Sequence, residues 1–158
     1  MSGVAISGIM RNDRLALLSV LGVPDRPGVA GRIFEALGQA GISAQFAVQC
    51  IDHQGQDHVV FCVDRAEAEK ARQVAEASCG CLGAGRVVVR PAVASIAIYG
   101  PDFRDRPGIA GLMFAALARE GINILAISTS ISTVSCVVDL ARADDAERAL
   151  RASFILPD

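Results

Sequence analysis

The chain has 158 residues, 52% hydrophobic and 20% charged, which is enough apolar material for a real core and too little charge for disorder. A formal net charge of −2, a pI near 5.7 and no Lys/Arg cluster give no footing for binding a phosphate backbone, which excludes nucleic acid as an expected partner. No apolar run nears the ~18 residues of a membrane span and no secretory leader opens the chain; the five cysteines, an odd number, fit reduced, packed thiols in a cytoplasmic protein.

In chain order, Val4 to Met10 reads as a strand, Arg11-Asn12-Asp13-Arg14 as a polar turn, and Leu15 to Leu21 as a second strand. After Gly22-Val23-Pro24-Asp25-Arg26-Pro27-Gly28, the apolar residues Val29, Ile33, Phe34 and Leu37 recur at helical spacing, with Gly41 as the cap. Ile42 to Ile51 is the next strand, His53-Gln54-Gly55-Gln56 a hairpin turn, and His58 to Val63 the returning strand. A helix rich in Ala and Glu is expected over Arg65 to Ala77, then a Gly-rich connection Cys79 to Gly85 and a strand Val87 to Val89. The second half repeats the order. It has a strand Val93 to Tyr99, a loop ending in Asp105 to Gly108, a helix Ile109 to Glu120, strands Ile122 to Thr129 and Val134 to Leu140, and a helix Asp144 to Ala152.

The repeat is also visible residue by residue: Asp25 to Ile42 matches Asp105 to Ile122 at eleven of eighteen positions. Two similar domains are therefore expected, residues 1–90 and 91–158, with strands at the chain ends open to exchange between them. Strand, helix, strand, strand, helix and a further strand make a split βαβ pattern, so each half should be an α/β ferredoxin-like fold, βαββαβ, an antiparallel sheet with helices on one face. Pro91 marks the boundary. Edge strands and leftover apolar surface predict a homodimer joined sheet to sheet.

The repeated Asp-Arg-Pro-Gly loop carries the chemistry. Pro27 suits a first helical turn, and Gly28 lets a ligand approach the backbone. The amides of Gly28, Val29 and Ala30 then present the positive helix end to a carboxylate, while Asp25 stands ready for an ammonium. An amino acid meets both demands. The alternative is that Asp25 merely caps the helix, worth ~1 kcal/mol, and that Asp105 does the same in the second copy.

The run Gly22 to Ala30, with Ile33-Phe34-Glu35-Ala36-Leu37, Ala40-Gly41-Ile42 and Val48-Gln49, resembles the regulatory region of aspartate kinases. In the second half Pro107-Gly108, Phe114, Ala116-Leu117, Glu120-Gly121-Ile122-Asn123-Ile124 and Ile127-Ser128-Thr129-Ser130 resemble the second of that region's tandem ACT domains, and Ala146 to Phe154 resembles its closing helix. The resemblance implies a non-catalytic module that binds an end-product amino acid, threonine or lysine, between the domains and feedback-regulates the kinase. It places one site at Asp25, Gly28, Val29, Ala30, Ser43, Ala44, Gln49, Asn123 and Ile124, and a second at Asp105, Gly108, Ile109, Ala110 and Thr129, sharing Asn123 and Ile124. Departures from the family pattern occur at Ser43, Cys50, Ile131 and Asp105-Arg106.

Beyond these loops the chain offers little chemistry. No phosphate-cradling glycine loop with its lysine is present, and the single lysine, Lys70, lies on a helix, so phosphoryl transfer and any resident cofactor are not expected. Cys79-Gly80-Cys81 with His53 and His58 lacks the second spaced pair of a zinc site. Cys50 and Cys62 have no positioned base, and His58 beside Asp57 reads as a strand pair. The two functional expectations are a regulatory module paired with an aspartate kinase catalytic chain, and a stand-alone tandem ACT sensor or assembly module for another enzyme or regulator.

Overall fold

A computed structural model describes residues 4–101 and 103–157, which divide into two compact units, Arg14–Ala92 and residues 4–13 with 93–157. The elements are β1 (Val4–Ala5), β2 (Gly8–Pro24), α1 (Val29–Gln39), β3 (Gln45–Ile51), β4 (Gln56–Asp64), α2 (Ala68–Leu82), β5 (Arg86–Tyr99), α3 (Ile109–Arg119), β6 (Ala126–Thr129), β7 (Thr133–Asp139), α4 (Ala143–Ser153) and β8 (Phe154–Ile155). Short 3-10 turns, Arg65–Glu67 and Leu140–Arg142, lead into α2 and α4.

In the unit Arg14–Ala92 the strands lie in the order β3-β4-β2-β5, the order of a ferredoxin-like sheet. β4 is antiparallel to β2 and β3, with Leu18 opposite Phe61 and Gln49 opposite Val59. One face of β4 carries Val59, Phe61 and Val63, which pack with Val29, Ile33 and Leu37 of α1 and with Ala71, Ala75 and Cys79 of α2. Phe34 meets Phe61 edge to face at 5.4 Å. In the other unit β7 is antiparallel to β5 and β6, and Ile96, Ile98, Val134 and Cys136 pack with Ile109, Met113 and Leu117 of α3 and Leu150 of α4. The short strand β1 pairs in parallel with β8, Val4 opposite Phe154.

Several sequence expectations are corrected. The polar stretch Arg11–Arg14 does not turn: β2 runs unbroken through it, because Arg11 finds partners from the strand itself, donating to Asp13 at 2.6 Å and pairing with Asp144 and Glu147 of α4 at 2.7 and 3.1 Å. Pro91 lies within β5, a single strand from Arg86 to Tyr99, and the division between the units falls just after it, between Ala92 and Val93. The segment Cys79–Leu82 is helical, not part of a loose connection: α2 closes at Gly83, whose amide bonds back to Cys79 and Gly80. Strand pairing begins later than expected at β3 and β6, where residues 42–44 and 122–125 lie outside the strands.

Candidate functional site

The first repeated loop is built by the end of β2 and the start of α1. Val23 is buried against the core, whereas Asp25, Arg26, Pro27 and Gly28 are exposed. The N-cap of α1 is Gly28, in the left-handed region at φ 95° and ψ −4°, and the helical bonding begins with the Arg32 amide donating to the Gly28 carbonyl at 2.9 Å. Because those bonds begin at Arg32, the amides of Gly28, Val29 and Ala30 have no intrahelical acceptor. Asp25 does not cap the helix; no hydrogen bond or ion pair to it is found among the described residues. The carboxylate therefore stands free beside an anion-attracting helix start, and Arg26 ties the loop down by donating to the Leu82 carbonyl at the C-terminus of α2, 3.3 Å away.

Ser43 is exposed and Ala44 half-buried, on the approach to β3. The strand then carries a bulge between Gln45 and Ala47, with Phe46 at φ 52°, an uncommon conformation for a bulky residue. Gln49 lies beyond it, exposed, and its Nε2 donates to Asp57 Oδ2 at 2.5 Å. Asp57 is 1% exposed, and its other oxygen has no hydrogen-bond partner among the described residues. Asp57 escaped the sequence reading, which set it only beside His58. The signal was there: Asp57, Val59, Phe61 and Val63 alternate at period two, which puts the carboxylate on the buried face.

His58 points the other way and has a structural task. Its Nδ1 accepts the Gly22 amide at 3.1 Å, so the ring hydrogen sits on Nε2 and reaches Asp52 Oδ2 at 2.9 Å. Asp52 closes the hairpin by accepting from the amides of Gln54 and Gln56. The Gln56 bond first, and then His58, holds the Asp52 carboxyl below its ordinary range. Cys79 and Cys81 lie two residues apart on α2, one buried and one exposed, and so face different directions. An open groove of about 670 Å³ between α1 and α2 is lined by Arg32, Glu35, Val74, Ser78 and Cys81 among others, and touches only Gly28 of the candidate residues.

The second loop repeats the backbone geometry. Gly108 caps α3 at φ 92° and ψ −4°, Leu112 donates to its carbonyl at 2.9 Å, and Asp105 is exposed, again without a bond among the described residues. Ile109 is buried in the core and Ala110 half-buried against it. Asn123 is exposed, Ile124 packs on the core, and Thr129 is exposed at the end of β6, opposite Val134. The preceding loop folds Phe103 back onto that core. The candidate residues thus divide by unit: Asp25, Gly28, Val29, Ala30, Ser43, Ala44 and Gln49 in Arg14–Ala92, and the others in residues 93–157.

This framework, two βαββαβ-type units with an open helix start in each, matches the ACT domain twice, over residues 16–77 and 96–154. The structure superposes on the aspartokinase alpha and beta subunits with a TM-score of 0.86 and 32% identity, covering 94% of this chain and 98% of that one. The chain belongs to the tandem ACT regulatory family of aspartate kinases. It also superposes on the ligand-free regulatory subunit of aspartate kinase from Thermus thermophilus, with a TM-score of 0.87 and 29% identity, covering 96% of this chain and 99% of that one. In sequence it is 40% identical over 151 residues to the aspartate kinase of Pseudomonas putida, covering 96% of this chain and 37% of that enzyme. The match is thus to the regulatory part of these kinases, and the ACT region itself is not catalytic. Among the described residues no helix is long and apolar enough to cross a membrane.

Proposed function

We propose that this chain senses a threonine- or lysine-type amino acid and, on binding it, feedback-inhibits an aspartate kinase catalytic chain allosterically. The observation that carries the reading is the exposed Asp25 carboxylate, free of partners among the described residues, beside the open helix start at Gly28. The amides of Gly28, Val29 and Ala30 take the α-carboxylate, Asp25 takes a cationic or hydroxyl donor, and the approach through Ser43 and Ala44 to Gln49 flanks the ligand. Asn123 and Ile124 enter as further members of the site on the resemblance alone. Asp105, Gly108, Ile109, Ala110 and Thr129 form the second candidate. A homodimer built through the ACT domains is part of the same reading. Inhibition follows if the amino acid binds one state of the assembly better than the other.

The test is a thermal-shift screen of the chain against the twenty amino acids. A ligand at a hundred times its Kd stabilises the folded state by about 2.7 kcal/mol, well within reach of the assay. Threonine or lysine is expected to raise the melting temperature, and Asp25→Ala to abolish the rise. No shift with any amino acid removes the sensor reading. Inhibition of a co-purified aspartate kinase chain by the same amino acid then separates a kinase regulator from a sensor serving another enzyme.

A further inference from the structure

Four observations bear on Gln49 and the residue beneath it. Gln49 is paired with Val59 and Ile51 with Asp57, and cross-strand partners share a face. That face carries Val59 and Phe61 against α1, so Gln49 and Asp57 lie on the helix side of the sheet. Asp57 is also opposite Val23, two residues before Asp25, at the end of the strand that feeds the loop. And Asp57 is almost wholly buried with one oxygen bonded to Gln49 Nε2 at 2.5 Å and the other without a partner among the described residues. Burying a carboxylate this way is costly, and packing alone gives no reason to place one there.

We infer that Asp57 is a positioning residue for the first amino-acid site, holding the Gln49 amide so that its carbonyl oxygen, and not its NH2 group, is presented to the ligand. This rests on the proposed amino-acid sensing. A carboxylate only accepts hydrogen bonds, so the side of Gln49 that meets Asp57 must be the nitrogen. The remaining oxygen is an acceptor on an exposed residue, matched to a donor on an amino acid, an ammonium or a hydroxyl. Without Asp57 the amide turns freely and offers a donor as readily as an acceptor. The second unit lacks the device. There Thr129 stands opposite Val134 as Gln49 stands opposite Val59, and the residue two before Val134 is the exposed Ser132. The two loops, alike in backbone, are therefore unlike in what selects the ligand.

The test uses the whole chain with L-threonine and L-lysine as probes, titrated by calorimetry into wild type, Asp57→Leu, Gln49→Ala and the double variant. Leucine is close in shape to the buried group but offers no acceptor, whereas asparagine would keep a carbonyl oxygen for the Gln49 amide. The expected result is an affinity loss of about tenfold in Asp57→Leu, the scale of one hydrogen bond, that largely vanishes when Gln49 is already alanine. In parallel, the side-chain amide of Gln49 is read by NMR without ligand. Its two hydrogens should be shifted and slowly exchanging in wild type and mobile in Asp57→Leu or, should that variant not fold, in Asp57→Ala. Unchanged affinity in Asp57→Leu, an equal loss in the Gln49→Ala background, or a freely mobile Gln49 amide in wild type would each overturn the assignment. If wild type binds neither probe while the Gln49 amide is fixed, the sensing reading falls and the pair is structural only.

Discussion

Gly28 and Gly108 form a matched experiment supplied by the duplication. Both cap a helix in the left-handed region, at φ 95° and 92°, and a methyl group added to either would meet nothing within 4 Å. Replacement by alanine therefore introduces no clash, only the conformational cost of a left-handed L-residue, about 1–2 kcal/mol. The unfolded chain also loses freedom, which returns about 0.4–1 kcal/mol. The net expectation is destabilisation of about 1 kcal/mol at each position, or a fall of roughly 4–8 °C in the melting temperature of a unit of this size. Gly38 is the internal control. It lies within α1 with equal space around it and no positive φ, so Gly38→Ala should stabilise, by up to about 1 kcal/mol. Urea denaturation of the three variants measures the stabilities, and amino-acid titration measures function. The two cap variants should lose stability alike, while Gly28→Ala alone should weaken binding at the site that holds Gln49 and Asp57. Loss of more than about 3 kcal/mol at either cap, or no loss at both, would refute the backbone account.

Two further predictions concern titratable groups. Burial pushes the Cys62 and Cys136 thiols up to about 12, so neither should react with a thiol reagent at neutral pH until the chain unfolds, while the exposed Cys50 and Cys81 should be modified at once; mass spectrometry after brief alkylation decides it. The Asp52 carboxyl is held below its ordinary value in the fold, so its bonds support the β3–β4 hairpin above that value and are lost as the pH falls through the lowered one. The protection of the Gln54 and Gln56 amides, their hydrogen exchange measured against the unstructured rate at each pH, should fall on acidification in wild type and be absent throughout in Asp52→Ala; an acid-insensitive protection would contradict the assignment.

Much of the fold was legible because its signals are local. The periodicity of Val29, Ile33 and Leu37 marks α1, and Gly41 at φ 75° closes it in the structure as the pattern expects. What misled was polarity without context. Arg11 to Arg14 looks like a turn until α4 supplies Asp144 and Glu147 to the strand, a partner more than a hundred residues away that no window of sequence contains. Cys79 to Leu82 look like part of a glycine-rich connection, yet α2 runs on through them because the single Gly80 lowers helix propensity without breaking the helix.

The site was legible to a different depth. A repeated motif announces two equal loops, and at the level of backbone the structure agrees: each has a left-handed glycine cap, open amides and an exposed aspartate. A duplicated scaffold keeps its helix start because the fold needs it. The residue that distinguishes the loops lies on another strand, where register sets a buried Asp57 diagonally from Gln49 in one unit and an exposed Ser132 in the corresponding place of the other. Identity between the copies therefore marks what both loops share, and the difference beneath them marks what sets the first loop apart in recognition. If that difference sets selection, removing Asp57 should weaken ligand binding at the first loop about tenfold, the scale of one hydrogen bond, while leaving the loop's geometry intact.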